Sequence, residues 1–180
     1  MRTIFSLFLA LSLLAPALSA QQAAVAGPVI FSAGAVFPIS DADFSTPPDL
    51  DYSLAFEVGQ ASPSPEQLNV AFNSVARFLN MHVRAGVPRE KVRAAVVVHG
   101  TAGWEILDDQ AYRERYGVAN PNKDLLVELL DYGIQVILCG QTAASRGIPD
   151  QSRIEGVQVA LSAMTAFVVL QEQGYRVNPW

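Results

Sequence analysis

From residue 52 onward, short apolar runs alternate with longer segments in which apolar residues recur every three or four positions. The short runs predict β-strands, and the periodic segments predict α-helices. The predicted strands cover residues 54–58, 92–98, 134–138, 157–160 and 175–177. The predicted helices begin at Ser64, Asn120, Ala143 and Ser162, and an irregular helix is expected within residues 101–117.

The first of these helices has the clearest start signal. Ser64-Pro65-Glu66-Gln67 combines an N-cap serine, a proline at the first helical position and a capping glutamine three residues after the serine. An apolar stripe follows and continues until Gly86 and Pro88. We therefore expect one long amphipathic helix between the first two strands.

The order of the elements defines the fold class. Strands that alternate with helices are joined by right-handed crossovers, which make the strands parallel. Residues 92–98 show no polar alternation after Arg93, as is typical of a strand buried on both faces. We predict an α/β fold over residues 52–180: a three-layer α/β/α sandwich with a mainly parallel sheet of about five strands.

The amino-terminal part follows a different pattern. Arg2 precedes an apolar run from Ile4 to Leu14, and Ala17-Leu18-Ser19-Ala20 supplies small residues before Gln21. This predicts a signal peptide over residues 1–20, cleaved after Ala20, and therefore export to the periplasm. Residues 21–51 are rich in Gly, Pro and Asp and predict an extended arm over the domain or a neighbouring subunit.

Charge and hydropathy exclude two classes of partner. The 180 residues carry a formal net charge of −5 and contain no block of Lys or Arg, which argues against a nucleic acid or an anionic membrane. No segment after the signal peptide offers about 20 uninterrupted apolar residues. We therefore expect no membrane association once the signal is removed.

One cysteine makes the export prediction informative. Cys139 is the only cysteine in the sequence, so an intramolecular disulfide is excluded. Its thiol is buried and inert, reactive, or paired with another molecule, and the sequence leaves these three alternatives open.

Candidate chemistry lies at the ends of two predicted strands. His99 and Cys139 each follow a buried apolar run, and the carboxyl ends of parallel strands meet at one edge of the sheet. If the strands are neighbours, the His99 imidazole could favour the Cys139 thiolate. We therefore assign His99 and Cys139 as candidate catalytic residues.

Residues after the cysteine add a second influence. If a helix begins at Gly140-Gln141, its unpaired N–H groups face the sulfur and lower the pKa of Cys139. Gly140 would also let a bound group approach the backbone closely. Arg146 either steers an anionic sulfur species or is a solvated arginine at a helix end. Gly140, Gln141 and Arg146 are the candidate substrate-binding residues.

Other kinds of site lack the necessary residues. The sequence contains no phosphate loop, no GxGxxG and no GxSxG. His82, His99 and Cys139 do not have metal-ligand spacing, so neither a metal nor a cofactor is expected. Asp108-Asp109 is interpreted as solvated surface.

Several stretches around these residues carry a resemblance. They are residues 96–100, 120–122, 133–141, 156–165 and 174–177, and in this order and spacing they resemble the DsrE/DsrF-like (YchN-fold) family. The run from Cys139 to Gly147 is similar to the Cys-x-x-Ala-Ala-x-x-Arg-Gly run of the sulfur-relay members, with one residue fewer between the alanines and the arginine. The chain looks most like an uncharacterised branch of the family that has gained a signal peptide.

The resemblance implies a compact subunit that assembles as a trimer or hexamer. It also implies that Cys139 accepts sulfur and passes it on as a persulfide, whereas no family role transfers to His99. The chain departs from the relay proteins because those are cytoplasmic heteromers with dedicated partners. The first functional hypothesis is therefore a periplasmic sulfur carrier or sulfurtransferase, and the alternative is a non-catalytic oligomeric module with a structural Cys139.

Overall fold

The computed structural model describes residues 22–178, and the predicted signal peptide lies outside these residues. The elements are β1 (Tyr52–Val58), α1 (Val70–Arg84), β2 (Val92–Val98), α2 (Asp109–Tyr116), α3 (Lys123–Tyr132), β3 (Gln135–Cys139), α4 (Gly140–Arg146), β4 (Gln158–Ala160), α5 (Ala163–Glu172) and β5 (Arg176–Val177). Among the described helices, none has the length and apolar character needed to span a bilayer.

The five strands form one parallel sheet with the order β4-β3-β2-β1-β5. The strands β1 and β3 flank the central strand β2. Its two faces are buried because helices cover both sides of the sheet. Val58 pairs with Val98, and Val98 pairs with Leu138, so the carboxyl ends of β1, β2 and β3 are level. The predicted α/β fold with a five-stranded parallel sheet is confirmed.

Alternate residues of each strand enter two separate cores. One core contains Val96, Val98 and Leu138 and packs against α1 and α3. The second core is smaller, contains Val97 and Ile137, and packs against α5. Because side chains alternate between the faces of a sheet, His99 and Cys139 continue the rows that face α5.

The prediction that α1 begins at Ser64 is wrong, since the helix begins at Val70. Residues 64–67 form a turn in which the Gln67 N–H donates to the Ser64 carbonyl at 3.1 Å, and the Glu66 carboxylate contacts the Ser64 hydroxyl. Asn69 is the N-cap, and its side chain accepts from the Ala71 N–H at 2.8 Å. Contacts from distant residues fix Asn69 and thereby the start of the helix.

The interpretation of Asp108-Asp109 as solvated surface also needs correction. The Asp108 side chain caps α2 by accepting from the Ala111 N–H at 2.8 Å. Asp109 accepts from the Asn120 N–H at 3.1 Å and pairs with Lys123 at 2.9 Å. These two neighbours therefore bind different partners and join α2 to the start of α3.

Residues 22–51 form an extended arm that packs against α1 and α3 of the same chain. The fully buried Asn80 of α1 accepts from the N–H groups of Val29 and Ile30, and its amide donates to the carbonyls of Ile30 and Gly34. Glu128 of α3 accepts from the N–H groups of residues 31 and 32. The backbone of the arm also bonds to the side chains of Asn73, Arg84 and Lys91, so several side chains of the domain hold it in place.

Candidate functional site

Cys139 is at once the last residue of β3 and the N-cap of α4. The predicted strand ends one residue earlier; of the two predicted starts of the next helix, Gly140 and Ala143, the structure has the first. The sulfur therefore lies directly beneath the first turn of α4. Cys139 is only 6% exposed, and it is a free thiol.

Polar groups from two helices are directed at the Cys139 sulfur. Burial alone would raise the pKa of Cys139, but hydrogen bonds from the Thr142 N–H, the Thr142 hydroxyl, and the N–H groups of Ala163 and Gln141 outweigh it. The pKa of Cys139 is consequently below its ordinary value of 9.0. Thr142 and Gln141 lie in the first turn of α4, and Ala163 is the first residue of α5. The sulfur therefore has an environment that favours a thiolate.

Thr142 connects the sulfur to the end of β2. The Gly100 N–H donates to the Thr142 hydroxyl oxygen at 3.2 Å, which leaves the hydroxyl proton to point at Cys139. Thr142 itself is 8% exposed. The Thr142 hydroxyl was missed by sequence reasoning because its bond to Gly100 depends on the pairing of β2 with β3, and the Ala163 N–H was missed as well.

Gly140 packs closely against the end of β4. A Cβ at this position would lie 2.6 Å from the Ala160 carbonyl oxygen and 3.3 Å from that of Leu161. The missing side chain thus lets α4 begin against the end of β4. Close approach of the backbone is required as predicted, but it is made by the protein's own chain.

His99 lies next to Cys139 in the sheet, but its imidazole leans toward β1 and away from the cysteine. Val98 pairs with Leu138, so the residues that follow them, His99 and Cys139, occupy adjacent positions. The imidazole Nε2 lies 2.8 Å from Glu57 Oε1. A Cβ on Gly59 would lie 2.9 Å from the imidazole Cε1, so the ring fills the space above β1. The groups that lower the pKa of Cys139 do not include His99.

A groove of about 910 Å³ crosses the carboxyl ends of β1 and β2, and we call it the β1–β2 groove. His99, Glu57, Gly100 and Arg146 line it, together with the first turn of α1. Cys139 is not among its lining residues; Gly100 and Thr142 lie between the groove and the sulfur. Arg146 and His99 are thus brought to one groove, and Cys139 lies beside it.

Gln141 lies in the first turn of α4, next to the segment between β4 and α5. Its side-chain amide donates to the Leu161 carbonyl at 3.3 Å, and its backbone N–H is directed at Cys139. The exposed side chain therefore ties α4 to the segment between β4 and α5. Its backbone N–H helps to lower the pKa of Cys139, as expected for the first turn of a helix that begins beside the sulfur.

A buried polar network supports the far wall of the groove. Glu105, which is 3% exposed, accepts from the Ser62 N–H at 2.7 Å and from the Asn69 amide at 2.5 Å. Asn122 accepts from the Asn69 N–H at 2.8 Å. Burial raises the pKa of Glu105 more than these hydrogen bonds lower it. The network fixes residues 59–69 and, through Asn69, the first turn of α1.

The parallel sheet, with a cysteine where a strand passes into a helix, places the chain among small α/β proteins that carry a thiol at the carboxyl edge of the sheet. The family model of the DsrE/DsrF-like family matches residues 52–179. The chain belongs to the DsrE/DsrF-like family. The comparison with curated proteins found no match.

Two solved structures share the fold. A protein of unknown function, MTH1491 from Methanobacterium thermoautotrophicum, is 20% identical with a TM-score of 0.53, and the match covers 71% of this chain and 98% of that one. The YchN protein from E. coli is 16% identical with a TM-score of 0.50, covering 70% of this chain and 96% of that one. At these identities the likeness concerns the fold.

Proposed function

We propose that the protein is a periplasmic sulfur carrier or sulfurtransferase that holds sulfane sulfur as a persulfide on Cys139. The observation that carries this proposal is the set of hydrogen-bond donors from α4 and α5 directed at one sulfur. Donors that stabilise a thiolate also stabilise the anionic persulfide and the thiolate that leaves when the sulfur is passed on. Membership of the DsrE/DsrF-like family supports the same function.

The chemical steps need no cofactor. The Cys139 thiolate attacks the outer sulfur of a donor such as thiosulfate, a new S–S bond forms, and the donor's S–S bond breaks so that sulfite leaves with the electron pair. A thiolate acceptor then attacks the outer sulfur of the persulfide, and the bond electrons return to Cys139. Arg146, in the adjacent β1–β2 groove, has the charge to attract an anionic donor.

The test is an intact mass after incubation with polysulfide or thiosulfate. We expect a gain of one sulfur atom that a reductant removes and that Cys139→Ser lacks. His82→Gln is a matched control for substitution away from the site, because His82 lies on α1 with its ring against Tyr52 and Phe78. A protein that gains no sulfur from any donor, although it is folded, would contradict the proposal.

The 6% exposure of Cys139 favours a second candidate function. In that case the cysteine only packs, and an oligomer presents the β1–β2 groove to a small ligand. Alkylation separates the two functions: a capped thiolate reacts with a small reagent such as iodoacetamide in the native protein, whereas a structural thiol reacts only after unfolding.

An oligomer, a trimer or hexamer, is part of the proposal. Around β4 and α5 an apolar face is exposed, with Leu161 at 73% and Met164 at 77%, flanked by Val159 and Val168. Apolar faces of this kind are typical of subunit interfaces. Light scattering should report an oligomer, and Met164→Lys combined with Val168→Glu should convert it to a monomer. Wild-type protein that is monomeric at micromolar concentration would contradict this part.

The periplasmic location is tested on the exported protein. Its mass should correspond to a chain that begins at Gln21, after cleavage behind Ala20. Retention of the full-length chain in the cytoplasmic fraction would contradict it.

A further inference from the structure

The His99–Glu57 pair lies in the β1–β2 groove and takes no part in lowering the pKa of Cys139. His99 and Glu57 are the polar members of the rows that face α5, at the level where β1 and β2 end. The His99 side chain is 30% exposed, and that of Glu57 is 54% exposed. The pair is therefore accessible from the groove while it is held in one orientation.

The hydrogen bond to Glu57 determines which ring nitrogen can act as a base. A carboxylate only accepts hydrogen bonds, so Nε2 carries the proton in this pair. In the neutral ring Nδ1 then has the lone pair. Gly59 leaves the room that the ring needs above β1, since a side chain there would meet Cε1 at 2.9 Å. His99 is thus arranged as an oriented general base.

His99 and Cys139 follow the paired residues Val98 and Leu138, so they stand at the ends of neighbouring strands. Neighbouring strands lie about 4.8 Å apart, and the imidazole leans from β2 toward β1, away from β3. Gly100 and Thr142 lie between the groove and the Cys139 sulfur, so the reaction requires the outer sulfur of the persulfide, about 2 Å beyond the cysteine sulfur, to extend past them toward the imidazole. The volume of the groove, about 910 Å³, is that of a small-molecule site.

We infer that the β1–β2 groove binds the sulfur acceptor, a low-molecular-weight thiol, and that His99, oriented by Glu57, removes its proton. This inference rests on the proposed persulfide function. His99 takes the proton of R–SH, and the resulting R–S⁻ attacks the outer sulfur of the Cys139 persulfide. The Cys139 S–S bond breaks, an R–S–S bond forms, the electron pair returns to Cys139, and the His99 proton passes to the terminal sulfur of the product. The products are R–S–SH and the Cys139 thiolate, with no net oxidation.

The experiment measures single-turnover transfer from protein that has been loaded with persulfide and verified by mass. Two acceptors are compared: 2-mercaptoethanol, which is protonated at neutral pH, and an aromatic thiol that is already ionised. Removing a general base costs on the order of 100-fold in rate, so His99→Gln should slow transfer to 2-mercaptoethanol by about that factor. Transfer to the aromatic thiol should stay within about twofold of wild type, because that acceptor has no proton to lose.

Each outcome bears on a stated part of the mechanism. Equal slowing with both thiols, or no slowing with either, would overturn the role of His99. Wild-type protein that loads sulfur but passes it to neither thiol would overturn the small-thiol acceptor and favour a protein acceptor. Matching thermal unfolding curves of wild type and His99→Gln show that the variant is folded. Failure of the wild-type protein to load would overturn the proposed function and this inference together.

Discussion

The Thr142 hydroxyl offers the sharpest test of the thiolate environment. It accepts from the Gly100 N–H at 3.2 Å and donates toward Cys139. The Thr142 methyl group packs so closely on Gly103 that a Cβ there would lie 2.7 Å from Cγ2. Thr142→Val keeps this methyl contact and the backbone N–H, so the substitution removes the hydroxyl alone.

The expected shift follows from the strength of one hydrogen bond. A hydrogen bond to a charged group contributes about 1.5–3 kcal/mol, and one pKa unit corresponds to about 1.4 kcal/mol. The backbone N–H groups of residues 141, 142 and 163 remain in the variant and still stabilise the thiolate. We therefore expect the lower end of that range: the pKa of Cys139 rises, and the ratio of thiolate to thiol at a given pH falls about tenfold.

The assay is the rate of iodoacetamide alkylation as a function of pH for wild type, Thr142→Val and Thr142→Ser. Only the thiolate reacts, so the midpoint of the curve reports the pKa of Cys139. Thr142→Ser keeps the hydroxyl and should give a curve close to that of wild type. A valine variant with the wild-type midpoint would refute the assigned hydrogen bond, and a serine variant shifted as far as valine would assign the effect to packing.

Three other substitutions test the arm, the buried carboxylate and the start of α4. Asn80→Leu removes the partner of the Val29 and Ile30 N–H groups and of the Ile30 carbonyl; unfolding free energy should fall by about 3 kcal/mol in denaturant titration, and proteases should cut within residues 22–51 while wild type resists. Burial raises the pKa of Glu105 above 4.5, so the folded state binds its proton more tightly than the unfolded state does. Its contribution to stability is fully present below pH 4.5 and is lost as pH rises through the raised pKa; Glu105→Gln should flatten this fall in melting temperature, and an unchanged pH profile would contradict the assignment. Gly140→Ala would place a Cβ 2.6 Å from the Ala160 carbonyl oxygen, and it should cost about 1–3 kcal/mol of stability and slow alkylation of Cys139 near neutral pH. Wild-type reactivity in that variant would show that the start of α4 does not control the sulfur.

The central strand could be predicted because a strand that is buried on both faces has a continuous apolar sequence. Val92–Val98 has no polar alternation after Arg93, and it is the central strand, which is covered on both faces. Gly133 follows a stripe of leucines and ends α3 in the left-handed conformation. The placement of Cys139 at the carboxyl edge followed from the same pattern, since parallel strands bring their ends to one side.

The features that the sequence could not supply depend on partners that are distant along the chain. Asn69 caps α1 in place of Ser64 because Glu105 and Asn122 hold it there. The donor at Ala163 reaches the sulfur because Cys139 pairs with Ala160 on the edge strand. A local start signal is weak against contacts of this kind, and no pattern in the sequence marks a donor that lies 24 residues away.

The direct passage of β3 into α4 has a consequence for how the chain tolerates change. No connecting residue separates the strand from the helix, so the main chain of Cys139 belongs to both. A single inserted residue at this junction would rotate the first turn of α4 by about 100° and aim its amides elsewhere. Length variation is therefore forbidden at this point of the chain, while the exposed turn at residues 155 and 156 can lengthen without disturbing the thiol.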